Sequence, residues 1–104
     1  IDHSSGLLKE CSSPACFTGA KQPCHADFSP DGKQMAVAHF LGGVVSIMDC
    51  SAGPLWTDLV ARAELPGERP PPEATGMSLH KGPLAHGLRY TPSGDHLAVC
   101  DAGQ

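Results

Sequence analysis

An all-β fold assembled from repeated short strands is what this sequence predicts, and three observations carry the prediction. Twelve Gly and ten Pro among 104 residues cut the chain into short pieces and leave little room for long helices. Two stretches recur along the chain at fixed spacings, the signature of a repeat architecture. The apolar runs between the punctuating residues are only a few residues long, and Val44 to Met48 is rich in β-branched side chains. The chain begins at Ile1 and stops at Gln104 just after an apolar run, so a piece of a larger protein is expected.

The repeats define the elements in order. Ile1 to Leu8, IDHSSGLL, matches Met48 to Leu55, MDCSAGPL, at a spacing of 47 with four of eight positions identical. Phe28 to Val37, FSPDGKQMAV, matches Tyr90 to Val99, YTPSGDHLAV, at a spacing of 62, keeping Pro, Gly, Ala and Val. The extra 15 residues fall between Leu55 and Tyr90, where Pro66-Gly67-Glu68-Arg69-Pro70-Pro71-Pro72 supplies a loop insertion, so the unit is 47 residues. In Ser29-Pro30-Asp31-Gly32 and Thr91-Pro92-Ser93-Gly94, Pro at the second position and Gly at the fourth suit type I β-turns, which makes them hairpin corners. Strands are expected to follow over Gln34 to Phe40 and His96 to Cys100, and the Gly42-Gly43 corner leads into a further strand over Val44 to Met48. Leu55 to Leu65 fits a strand, but Leu55, Leu59, Val60 and Ala63 also fit one helix face. Three consecutive prolines remove backbone donors, so Glu64 to Thr75 is expected to be an exposed loop.

Composition excludes several functions. Seven Lys and Arg against 11 Asp and Glu give a net charge of -4 with the basic residues scattered, which is the wrong footprint for nucleic acid. No apolar stretch approaches the ~20 residues that span a bilayer, so no membrane partner is expected. Five cysteines, Cys11, Cys16, Cys24, Cys50 and Cys100, are an odd number, which argues against a fully paired framework and for a reducing, cytoplasmic setting. Cys11, Cys16, Cys24 and His25 lack the close pairs of zinc sites, and no metal or other cofactor is expected. There is no Gly-x-Ser-x-Gly elbow, no Gly-x-Gly-x-x-Gly loop and no His-Glu-x-x-His motif. Asp27 and Asp31 read as strand-edge and turn residues rather than a carboxylate pair.

A repeat of this length with short strands fits a β-propeller blade, a unit of ~40 to 50 residues and four antiparallel strands. The organisation expected is the end of one blade over 1–22, a blade with the Pro-rich insertion over 23–75, and the start of the next over 76–104. Pro23-Cys24-His25-Ala26-Asp27-Phe28-Ser29-Pro30-Asp31-Gly32 and Ala36 to Ile47 then resemble the lactonase family of seven-bladed propellers, whose members read G-P-C-H, S-P-D-G and A-N-Y-G-G-G-S-V-S-V. Ala85-His86-Gly87-Leu88-Arg89-Tyr90-Thr91-Pro92-Ser93-Gly94 and Val99 to Gly103 resemble the family's H-S-V-x-F-S-P-D-G and V-x-D-L-G segments. His39-Phe40-Leu41 stand where Asn-Tyr-Gly is usual, and a single His precedes the second-copy strand where many members carry His-x-His.

The resemblance implies a lactone-forming or lactone-hydrolysing enzyme of the 6-phosphogluconolactonase or carboxymuconate cyclase kind, acting on a small lactone or carboxylate. It makes His86 the catalytic residue, with His25, His39 and Asp101 as substrate-binding neighbours. His25 and His86 are expected at the channel entrance in successive units, since the innermost strand of a blade lines the channel. His3, His80 and His96 read as merely exposed. An imidazole titrates near neutral pH and can activate water against a lactone carbonyl or move a proton during ring closure. Arg89 is expected to alternate away from His86, so groups that bind carboxylate or phosphate must come from other blades. The alternative is a non-catalytic propeller that binds proteins.

Overall fold

The computed structural model describes residues 4–6, 18–52, 58–67 and 82–103. The copy at Ile1 to Leu8 therefore lies outside the described residues except for Ser4 to Gly6, as do Cys11, Cys16, His3, His80 and most of the Pro-rich insertion. The described chain is all-β, without a helix, and consists of β1 (Pro23–Phe28), β2 (Gln34–His39), β3 (Val44–Asp49), β4 (Asp58–Glu64), β5 (Ala85–Tyr90) and β6 (Leu97–Asp101). β1 to β4 form one antiparallel sheet in chain order, and β5 and β6 form a second. The expected blade 23–75 contains all four strands of the first sheet, and both strands of the second fall in 76–104. The ambiguous Leu55 to Leu65 stretch is a strand from Asp58 onward, and Glu64 ends that strand rather than opening the loop. Leu65 follows half-buried with its N–H on the Gly43 carbonyl, while Pro66 and Gly67 are exposed.

Both Pro-Gly corners close in the same way. Gly32 N–H donates to the Ser29 carbonyl and Gly94 N–H to the Thr91 carbonyl, the bond that defines a β-turn. Glycine stands fourth because φ there is +72° and +79°, which L side chains avoid. The hydroxyl at the first position ties each corner shut: Gln34 N–H donates to Ser29 Oγ, and His96 N–H to Thr91 Oγ1. At the other end of β2 the chain turns through Gly43, where φ is +59° and an added Cβ would lie 2.7 Å from the Pro83 carbonyl oxygen. Only glycine lets that corner meet the approach to β5.

The central strands are buried on both faces, as strands layered between neighbours must be. One face of β2 and β3 presents Ala36, Ala38 and Val45 to Ala85 and Leu88 of the second sheet, with Ile47, Leu65, Tyr90, Leu97 and Val99 packed around them. The small alanines allow β5 close to β2, and burial of Leu88 alone stabilises the pair by about 2 kcal/mol. The opposite face carries Met35, Val37, Met48 and Cys50. β1 keeps an edge open to solvent, and all seven residues of β4 are exposed.

Candidate functional site

The two hairpins share most of their register at the spacing of 62. Pro23 pairs with His39 as Ala85 pairs with Asp101, Ala26 with Val37 as Leu88 with Val99, and Phe28 with Met35 as Tyr90 with Leu97. Both ladders break at the same place, between Pro23 and His25 and between Ala85 and Leu88. A bulge at the start of an inner strand releases a side chain from the ladder and aims it outward. In β5 the break takes in His86 and Gly87, of which His86 is exposed. Its counterpart in β1 is Cys24, not His25, and this corrects the expected correspondence of the two histidines: at an offset of 62, His25 stands where Gly87 stands.

His86 is held from the preceding sheet. The Phe40 ring, on the corner after β2, meets its imidazole edge-to-face with centroids 5.8 Å apart and planes at 76°. The Cys24 thiol lies 3.3 Å from the His86 carbonyl oxygen and 3.4 Å from that of Ala85, so it donates into the backbone at the bulge. His25 serves the same seam: its Nδ1 accepts the Leu88 N–H at 3.4 Å. Two residues on, Asp27 Oδ2 accepts the Tyr90 N–H at 2.9 Å. These N–H groups point from the open edge of β5, and the two side chains satisfy what no strand does. Burial, with the Asp27 charge nearby, pushes the Tyr90 hydroxyl above its usual range.

The other two expected site residues share a position in the repeat and are occupied by structure. His39 is fully buried, with Nε2 2.9 Å from both the Thr18 carbonyl and Ser46 Oγ. A carbonyl only accepts, so Nε2 carries the hydrogen, and the buried Nδ1 has no partner among the described residues. Asp101 Oδ1 accepts the Leu84 N–H at 2.8 Å and the Gly103 N–H at 2.9 Å, which closes the turn after β6. All four residues stand at one end of the sheets, where β1 and β5 begin and β2 and β6 end, but only His86 presents an exposed side chain that makes no hydrogen bond to backbone among the described residues. Arg89 is exposed on β5 in the position of Asp27. His96 is exposed beyond the Thr91 corner.

Cys24 and Phe40 are the residues that sequence reasoning missed. The spacing of 62 pairs Cys24 with His86 directly, and the aromatic at Phe40 stands where the family's Tyr is usual. Two shallow clefts lie elsewhere, one between the hairpin corners at Ser29, Asp31, Lys33 and Asp95 and one beside the Arg62–Glu64 ion pair. Neither cleft is lined by a histidine. Among the described residues no three His, Cys, Asp or Glu side chains group to hold a metal ion, and no helix is long and apolar enough to cross a membrane.

No match was found among curated proteins or among solved structures. The sequence does match, over residues 1–104, the family described as "Lactonase, 7-bladed beta-propeller". Strands of this length layered as antiparallel sheets, with one inner strand seated against the next, are the construction that description requires. The chain therefore belongs to the lactonase family of seven-bladed β-propellers, and its function is lactonase-like at the level of that family.

Proposed function

We propose that the parent enzyme hydrolyses or forms a small sugar-acid or muconate lactone, in the manner of a 6-phosphogluconolactonase, with His86 as its proton carrier. The observation that carries the reading is the exposed imidazole released by the bulge of β5 in a chain of the lactonase family. In hydrolysis, the imidazole takes a proton from water as the water oxygen bonds to the lactone carbonyl carbon. The ring C–O bond then breaks, and the imidazolium returns the proton to the leaving alkoxide, so no net proton is consumed at the histidine. Developing charge on the carbonyl oxygen and the substrate's carboxylate or phosphate require cationic groups from the other blades of the propeller. His25, His39 and Asp101 act in this reading through the scaffold, by the backbone contacts described above. A cytoplasmic setting is supported by the unpaired thiols of Cys24, Cys50 and Cys100.

The test is turnover by the full-length protein on 6-phosphogluconolactone and on muconolactone. Hydrolysis of one of them, reduced by about 10²-fold or more in His86→Gln with the fold retained, is the expected result. Absence of turnover on any lactone would leave the propeller as a binding scaffold.

A further inference from the structure

We propose that Phe40 is a positioning residue that fixes the imidazole of His86 in its working orientation; the inference rests on the reading of His86 as proton carrier. An exposed histidine at a bulge is free to populate several rotamers, and proton transfer needs one of them. The only aromatic contact among the described residues is the one between these two rings, 5.8 Å apart at 76°, the edge-to-face arrangement that restricts both partners. Phe40 is itself anchored, since its N–H donates to the Gln22 carbonyl at 3.0 Å and its side chain is half-buried.

The repeat shows that the corner does not require this ring. The counterpart of Phe40 at the spacing of 62 is Ala102, whose N–H makes the same bond, to the Leu84 carbonyl at 2.9 Å. With a methyl group the same backbone forms, so what the phenyl ring adds beyond the alanine is its contact with His86 across the seam between sheets. Phe40 touches no reacting atom in this account and acts through the orientation of the imidazole.

The experiment compares Phe40→Leu and Phe40→Tyr in the full-length protein, with His86→Gln in parallel. Leucine keeps apolar bulk and removes the ring, and tyrosine keeps the ring. In Phe40→Leu the ring-current shift of the His86 imidazole protons, read by NMR, should disappear. Its kcat should fall by about 10-fold with KM within about twofold, and Phe40→Tyr should restore both readouts. Full turnover in Phe40→Leu while His86→Gln is impaired would overturn the role of Phe40 and leave that of His86 intact. Unchanged imidazole shifts in Phe40→Leu would overturn the contact itself. Full turnover in His86→Gln would remove the reading of His86 and the role of Phe40 with it.

Discussion

The hairpin β1–β2 and the hairpin β5–β6 are one backbone carrying two sets of side chains. Their corners share four bonds at the same offset, from the Ser29 and Thr91 N–H groups to the hydroxyls that brace Gln34 and His96. Three of the differences lie where the ladder ends or breaks, Cys24 against His86 at the bulge, His39 against Asp101 and Phe40 against Ala102, and a fourth, Asp27 against Arg89, lies within it. Turn residues and register build the frame, and the side chains along it differ in what they touch. In the first hairpin Cys24, His25 and Asp27 seat the next sheet. In the second, His86 is left to solvent.

The largest expected difference between the two regions is steric. Gly103 and Leu41 occupy one repeat position, yet a Cβ on Gly103 would drive into the Gly82 carbonyl, whereas Leu41 is 44% exposed. Gly103→Ala in the full-length protein should cost about 2–4 kcal/mol in denaturant unfolding, and Leu41→Ala less than about 1 kcal/mol. Equal losses would mean that the Gly82 carbonyl does not crowd Gly103.

His39 and Asp101 come next. Removing the buried imidazole in His39→Ala should cost about 2–3 kcal/mol through the cavity it leaves. Asp101→Ala, which strips the acceptor from the Leu84 and Gly103 N–H groups, should cost about 1–2 kcal/mol, and Asp101→Asn should recover most of it because the amide oxygen still accepts. A large fall in turnover for Asp101→Asn at full stability would instead return Asp101 to the substrate. The seam offers a third contrast: Asp27→Ala orphans the Tyr90 N–H and should cost about 1 kcal/mol, while Arg89→Ala on the open face should stay within about 0.5 kcal/mol.

The smallest difference is in acid. The Ser29 hydroxyl, and after it the Lys33 N–H, hold the Asp31 carboxyl below its ordinary value of 3.8. A carboxylate whose folded value is depressed stabilises the fold above its unfolded value and loses that contribution as pH falls through the folded one. The first corner should therefore weaken below about pH 4, and the second, with Ser93 in that place, should not. Asp31→Ser should abolish the difference, read as amide exchange at Gln34 and His96 across an acid titration.

Much of the frame was legible because its causes are local. Pro and Gly at fixed turn positions, β-branched runs and a repeated decapeptide pointed to both hairpins and to β3 without reference to the rest of the molecule. The Leu55 to Leu65 stretch was ambiguous since its apolar spacing satisfies two periods, and pairing with β3, which includes a bulge between Ile47 and Met48, decides for the strand. The site was less legible because side-chain assignment at a bulge depends on register. A histidine next to another unit's histidine by eye, His25, turned out one residue away from the equivalent position. That His39 is buried against Thr18 depends on a contact 21 residues distant, which no local pattern announces.

His86 at one bulge is assigned as a proton carrier and Cys24 at its twin as a structural thiol. The direct measurement is kcat/KM on 6-phosphogluconolactone for full-length His86→Gln and Cys24→Ala side by side, each checked for wild-type folding. The account predicts a fall of about 10²-fold or more for His86→Gln and less than about 10-fold for Cys24→Ala. Equal falls in the two variants, or wild-type turnover in His86→Gln, would contradict it.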